Sequence, residues 1–235
     1  MAYRRTERET ARLAARYGAI VEAARALASE SGLGAVQIVP VAERVGIAAG
    51  TVYRYFRSKD DLVAAVIRAT AEREVAAIRA AAAAAPGALS GLAAAIVAFA
   101  SETMRMRKLA WAMLAQVPEG GDAGRFAFRR NVGGEFEGLI RAAITAGHLP
   151  EQPPAPMAAA VIGAAVESLV GPLAPTSAAP ELERAAVQEI ALFALRALGV
   201  VDARARGLVL MSEIRNQAVR RQEFGNSRSI PDVDS

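Results

Sequence analysis

The stretch AGTVYRYFRSKDDL, residues 49–62, gathers Tyr53 and Tyr55, two of the chain's four tyrosines, and Lys59, one of its two lysines. Arg54 and Arg57 lie between them, and Thr51 precedes them. Phenols, a small hydroxyl and cations suit the chemistry of gripping a polyanion rather than breaking a bond. The charge distribution points the same way. Residues 1–59 hold 10 Lys and Arg against 5 Asp and Glu, residues 60–202 hold 12 against 15, and residues 203–235 hold 6 against 4. A basic leading module on a mildly acidic body suggests a polyanionic partner for that module.

Other chemistries find no constellation of residues. The chain has no cysteine, which removes disulfides, thiolate metal sites and a cysteine nucleophile. Its one histidine, His148, follows Gly147 at a helix end, where an imidazole complements the dipole. It has no second histidine with which to build a metal site. Glu135 and Glu137 sit two apart on a helix and face away from each other. The expectation is therefore a non-enzyme with no catalytic residues, no metal and no cofactor.

The elements that must position residues 49–62 are helical. Hydrophobic residues make up 53% of the chain and no alternating strand pattern occurs. Spacing predicts helices over about 6–31, 39–45, 48–56, 58–85, 89–107, 108–116, 123–146, 156–171, 181–198 and 203–222. Gly32 and Gly34 stop the first, and Pro40 is tolerated in the first turn of the second. Ser58 with Asp61 forms a capping box variant at the start of the fourth. Loops are expected at 118–124, 147–156 and 171–180, and a disordered tail over the last ten residues. The apolar windows 89–100 and 157–173 are shorter than the ~20 residues that cross a bilayer. With a charged N-terminus as well, the chain reads as cytoplasmic, with no membrane partner.

Two short helices joined by a turn containing Gly46 form a helix-turn-helix pattern, although spacing alone also fits a generic helical hairpin. Val41, Ala42, Val45, Ile47, Val52 and Phe56 can close over Leu27 of the long first helix. A recognition helix enters the major groove by its N-terminal end, which must be slim, and Ala48, Ala49 and Gly50 are slim. Tyr53 and Tyr55, about 200° apart around a helix, cannot share one face.

The run VAERVGIAAGTVYRYFRSKDDL, residues 41–62, resembles the DNA-binding signature of TetR-family transcriptional regulators in Gly46, Gly50, Thr51, Tyr53, Tyr55, Phe56, Lys59 and Leu62. The resemblance covers about residues 15–65. It implies an all-α fold: an N-terminal three-helix helix-turn-helix domain, 1–57, and a larger helical effector-binding and dimerisation domain, 58–202. Residues 203–235 form a C-terminal extension, a helix and then a tail. It also implies a DNA-binding set of Gln37, Ala48, Ala49, Gly50, Thr51, Tyr53, Tyr55 and Lys59. Within that set Tyr53 reaches the backbone or a thymine methyl, and Tyr55 and Lys59 reach phosphates.

The sequence departs from the family pattern at Ala48, where a capping serine is common, and at Val39 and Pro40, where many relatives carry a polar or basic residue. The implied function is a one-component regulator, a repressor that binds a palindromic operator in double-stranded DNA and is released by a small effector. The helices at 156–171 and 181–198 are implied to pair with their copies in a homodimer. An apolar cavity is implied among Phe99, Met104, Trp111, Met113, Phe126 and Phe136, suiting an effector with a large apolar part. Arg105, Arg107 and Arg125 stand nearby for an acidic head group. The competing expectation is a helical ligand-binding or scaffold protein without specific DNA binding, encouraged by Val39 and Pro40.

Overall fold

A computed structural model of the protein describes the backbone of residues 2–114, 123–172, 174 and 179–226, with side chains over 8–113, 126–172, 174 and 179–215. The described residues are helical apart from turns. In order they form α1 (Ala2–Ser31), a 3-10 turn (Leu33–Ala35), α2 (Ile38–Val45), α3 (Ala49–Tyr53), α4 (Lys59–Ala83) and α5 (Ala88–Arg105). There follow α6 (Arg107–Leu114), α7 (Ala123–Thr145), α8 (Pro154–Val170), α9 (Pro180–Ala197) and α10 (Asp202–Asn226). The loop expected at 118–124 lies outside the described residues through 122, as does that at 171–180 at 173 and 175–178. Of the tail, residues 227–235 lie outside them.

Among the described side chains of α1, only those of its second half join the core. Residues 8–16 are exposed, whereas Ile20, Val21, Ala24 and Ala28 are buried. These pack with Val36, Ile38, Val41, Ala42, Val52, Phe56, Leu62 and Val66 in one continuous apolar cluster. Leu27, Val45 and Ile47 are partly buried and pack against it at its edge. The Tyr17 ring lies against Phe56 at 5.1 Å, and its hydroxyl accepts a 3.1 Å hydrogen bond from Arg68 of α4.

The α2–α3 turn needs its glycine. Gly46 takes φ 71° and ψ 39°, a left-handed conformation that a side chain disfavours. The Ile47 N–H then donates back to Ala42 O at 3.0 Å, closing the end of α2.

Helix α4 belongs to both halves of the protein. Leu62 and Val66 sit in the N-terminal core, while Ile78 is buried further along. Its start is firm: the Asp61 N–H donates to Ser58 Oγ at 3.0 Å, and Asp60 and Asp61 occupy the first turn. The body is organised around α5, whose residues from Leu89 to Ala100 are buried on nearly every face and which touches α4, α7, α8, α9 and α10. A helix apolar all round must be central. Gly91 permits the close crossing with α4, since a Cβ there would lie 3.2 Å from Ala82 O. At Met106 the backbone leaves helical geometry (φ −114°, ψ 42°), which separates α5 from α6 and redirects the chain.

Helix α6 is also mounted on the N-terminal unit. Lys108 Nζ donates to Glu30 O at the C-terminal end of α1, at 2.8 Å, and Arg25 reaches the Met106 sulfur at 3.1 Å. The extension α10 packs on α5 and α9, with Gln188 donating to Glu213 at 2.6 Å.

Candidate functional site

Helix α3 is short because its last turn tightens. Tyr55 and Phe56 N–H groups both donate to Val52 O, at 2.9 and 3.0 Å, so the helix stops at Tyr53 rather than Phe56. Tyr55 thus stands in the turn leading to Ser58. Val52 and Phe56 are buried and hold the element to the core. Tyr53 is 55% exposed, a large amphipathic ring standing in solvent.

The other predicted contact residues surround it. Ala48 and Gly50 are exposed; Ala49, Thr51, Tyr55 and Lys59 are half-buried, with Ala49 and Tyr55 packed against the core. Ala48 is extended and gives no side-chain cap, so the Ala49 and Gly50 N–H groups keep donor capacity for an outside acceptor, while that of Thr51 donates to Ala48 O at 2.8 Å. Gln37 is exposed, but its amide donates to Gly34 O at 3.1 Å and braces the turn before α2. Val39 is 56% exposed and presents an apolar surface where a polar contact would otherwise stand.

Two exposed cations absent from the predicted set, Arg54 and Arg57, flank Tyr53 and Tyr55 in sequence. Their signal was plain: basic residues interleaved with aromatics in the same motif. Arg44, by contrast, is committed to Glu30 through two hydrogen bonds of 2.8 and 2.5 Å. The result is a slim, uncapped helix tip, an exposed phenol and uncommitted cations on a sealed apolar base. Such a face can position phosphates and read a groove.

The second candidate region divides where the sequence suggested one stripe. Phe99 and Phe136 are fully buried and meet edge to face at 5.5 Å. Phe99 and Met113 line a small void of about 10 Å³. Met104 is buried, its sulfur 3.3 Å from Arg107 Nη1. Trp111 instead lines a groove of about 550 Å³ between α6, α7 and α8. Phe126 is 66% exposed, with the Arg130 guanidinium 5.4 Å from its ring centre, so it does not join the others. The break at Met106 and the separate origin of α7 explain the division.

Nor is Arg105 free for an acidic group. It makes a two-point pair with Glu102. Arg125 lies outside the described side chains. A third cavity, a groove of about 900 Å³ between α4 and α7, is lined by Ile67, Ala71, Val75 and Phe128 and rimmed by Arg68 and the Arg79–Glu135 pair.

The sequence reading missed Glu74. It is 6% exposed, and its Oε1 has no hydrogen-bond partner. Burial, with the nearby charge of Glu102, pushes its carboxyl up to about 8 against the opposing pull of Arg105. A signal did exist: Glu74 occupies the fourth-residue stripe Ile67–Ala71–Glu74–Ile78 of α4, where an apolar residue is expected.

Residues 20–66 match the model of the family described as bacterial regulatory proteins, tetR family. Over 54 residues the chain is 48% identical to the HTH-type transcriptional repressor KstR of Rhodococcus jostii (strain RHA1), covering 23% of this chain. The matched stretch spans only 26% of that repressor's length. Among solved structures, the fatty acid degradation regulator FadR from Bacillus halodurans has a TM-score of 0.65 at 20% identity, covering 79% of this chain and 97% of that one. FadR from Bacillus subtilis, in complex with stearoyl-CoA, has a TM-score of 0.61 at 16% identity, covering 74% and 97%. SmeT, the repressor of the Stenotrophomonas maltophilia multidrug efflux pump SmeDEF, has a TM-score of 0.56 at 22% identity, covering 77% and 89%. At these identities the likeness is one of fold.

Proposed function

We propose that this chain, whose residues 20–66 match the model of the tetR family of bacterial regulatory proteins, is a homodimeric one-component repressor released from a palindromic operator by a small, largely apolar effector. The observation that carries the reading is the face at α3: an exposed Tyr53 beside the uncapped Ala48–Gly50 tip, over the buried Val52 and Phe56. Tyr53 contacts the DNA backbone or a thymine methyl. Tyr55 and Lys59 contact phosphates from the flank, with Arg54 and Arg57 adding charge. Thr51 offers its hydroxyl or methyl to the groove, and the backbone at Ala49 and Gly50 approaches a phosphate.

Residues 1–57 serve as the DNA-binding domain, 58–202 as the effector-binding and dimerisation domain, and 203–235 as an extension. Dimerisation uses α8 and α9. Leu182 and Phe193 on α9 are exposed, and a second copy covering them removes that apolar surface from water. Two recognition helices then read half-sites about one helical turn apart.

Effector binding acts through α4, whose residues pack in both the N-terminal core and the body. A ligand that favours one placement of α4 changes the separation of the two recognition helices. Solved proteins of this fold include complexes with stearoyl-CoA, whose acyl chain is apolar, and with triclosan, which supports an effector with a large apolar part.

A mobility shift with the DNA upstream of the protein's own gene tests the reading. Two chains per bound palindrome are expected. Binding to no DNA in a salt-dependent way would favour the helical ligand-binding or scaffold protein that the exposed Val39 allows.

A further inference from the structure

The polar group most at odds with its surroundings is the Glu74 carboxyl. It projects from the middle of α4 into the small void between α4, α5, α6 and α7, beside Thr70, Phe99, Thr103, Met113 and Phe128. Its Oε1 lacks a partner. Buried polar atoms are satisfied in nearly all folded proteins, so an orphan aimed into a cavity marks a place where something else binds.

The charges around the void decide what that is. Glu102, also at the void, is held by Arg105 through two hydrogen bonds. The Thr70 hydroxyl donates to Val66 O at 2.8 Å, which leaves it lone pairs only. Arg25, against Met106 at the void's edge, is paired with Glu22 at 2.8 Å, and Glu22 also pairs with Arg73 at 2.9 Å. Apart from the Thr103 hydroxyl, which can donate or accept, acceptors face the void, and Arg25, Arg73 and Arg105 are committed. An anionic head group would meet Glu74 and Glu102 without a free counter-charge. A protonated amine brings donors, meets the faces or edges of Phe99 and Phe128, and answers the Oε1 orphan.

The void holds no more than a water-sized group, so the rest of the ligand must lie elsewhere. Phe128 supplies the passage. Its ring lines the void and also lines the groove of about 900 Å³ between α4 and α7. It is the residue the two linings share, and Ile67, Ala71 and Val75 lie along the groove as an apolar bed.

We propose that Glu74 anchors a site, opened by movement of Phe128, for an alkylamine whose ammonium enters the void and whose apolar body lies in the α4/α7 groove. The inference rests on the reading of the body as an effector-binding domain and gives that effector its class. The proton balance is defined. The neutral Glu74 carboxyl releases its proton to solvent as the ammonium arrives, leaving a carboxylate–ammonium pair.

The test uses the full chain without DNA and three probes of one skeleton: 4-phenylbutylamine, 4-phenylbutanol and 4-phenylbutanoate. Trp111, the only tryptophan, reports binding by fluorescence, and calorimetry in two buffers reports proton release. The amine is expected to bind about tenfold or more tighter than the alcohol, as a charge-assisted contact does over a neutral one. The carboxylate binds weakest, and near pH 7 the amine releases close to one proton. Glu74→Gln, which keeps the shape, abolishes the amine's advantage over the alcohol and the proton release. Phe128→Ala speeds amine association.

Equal binding of the three probes, tightest binding of the carboxylate, no binding of the amine, or an amine preference surviving in Glu74→Gln overturns the site. A chain that binds amine but no DNA would overturn the repressor reading alone. One that binds DNA but no amine would overturn this inference alone.

Discussion

The N-terminal unit and the body place their chemistry on opposite sides of their cores. In the first, Val52 and Phe56 are sealed inside and Tyr53, Arg54 and Arg57 face out. In the second, several surface charges are paired, as in Arg79–Glu135 and Arg141–Glu137, while Glu74 is turned inward with its Oε1 unpartnered. A partner as large as a duplex must be met on an exposed face. A small ligand is held best where water is excluded and one polar group fixes orientation. Helix α4 touches both arrangements, so its ends answer to different physics.

That contrast makes quantitative demands. Removing the base of the outward face should have the largest effect: Phe56→Ala empties a buried ring site beside Tyr17, and urea denaturation should show a loss of about 3–5 kcal/mol. DNA binding would go with it.

Next is the inward carboxyl. Glu74 holds its proton in the folded chain up to about pH 8, whereas the unfolded group loses it near 4.5. Between these values the folded state binds more protons, so stability falls as pH rises, by up to about 1.4 kcal/mol per pH unit. Urea melts across pH 5 to 8 should show that fall, and Glu74→Gln should flatten it. A flat profile in the parent would place the carboxyl in a less buried setting.

Ser58→Ala should cost about 1 kcal/mol through the lost cap of α4, read by the same denaturation. Smallest is Arg44→Ala. Its pair with Glu30 is exposed, and the melting temperature should hardly move.

Much of the fold was legible because its signals are local. Gly46 and Ser58 mark turns and caps with their own backbone chemistry, and both act as expected. The ten helices predicted from spacing are the ten described, with bounds moved by a few residues. The end of α3 was misread by three residues because apolar spacing continues through Phe56 while the backbone tightens beneath it.

The body was read less well. Its aromatic and methionine residues looked like one stripe, but tertiary packing distributes Phe99, Trp111 and Phe126 to a void, a groove and the surface. The boundary expected between 107 and 108 falls beside the break at Met106, but spacing does not report how the chain is redirected there. Glu74 was visible as an acid in an apolar stripe, yet only burial and the missing hydrogen bond give it meaning.

The central claim is that the face around Tyr53 and Lys59 binds DNA phosphates. Fluorescence anisotropy with the upstream duplex, from roughly 50 to 200 mM salt, tests it most directly in the parent and in Tyr53→Ala, Lys59→Ala. The parent should lose affinity steeply with salt, and the double variant should bind more weakly with a slope reduced by about 1 for the lost lysine. An identical affinity and slope in the two proteins would contradict the account.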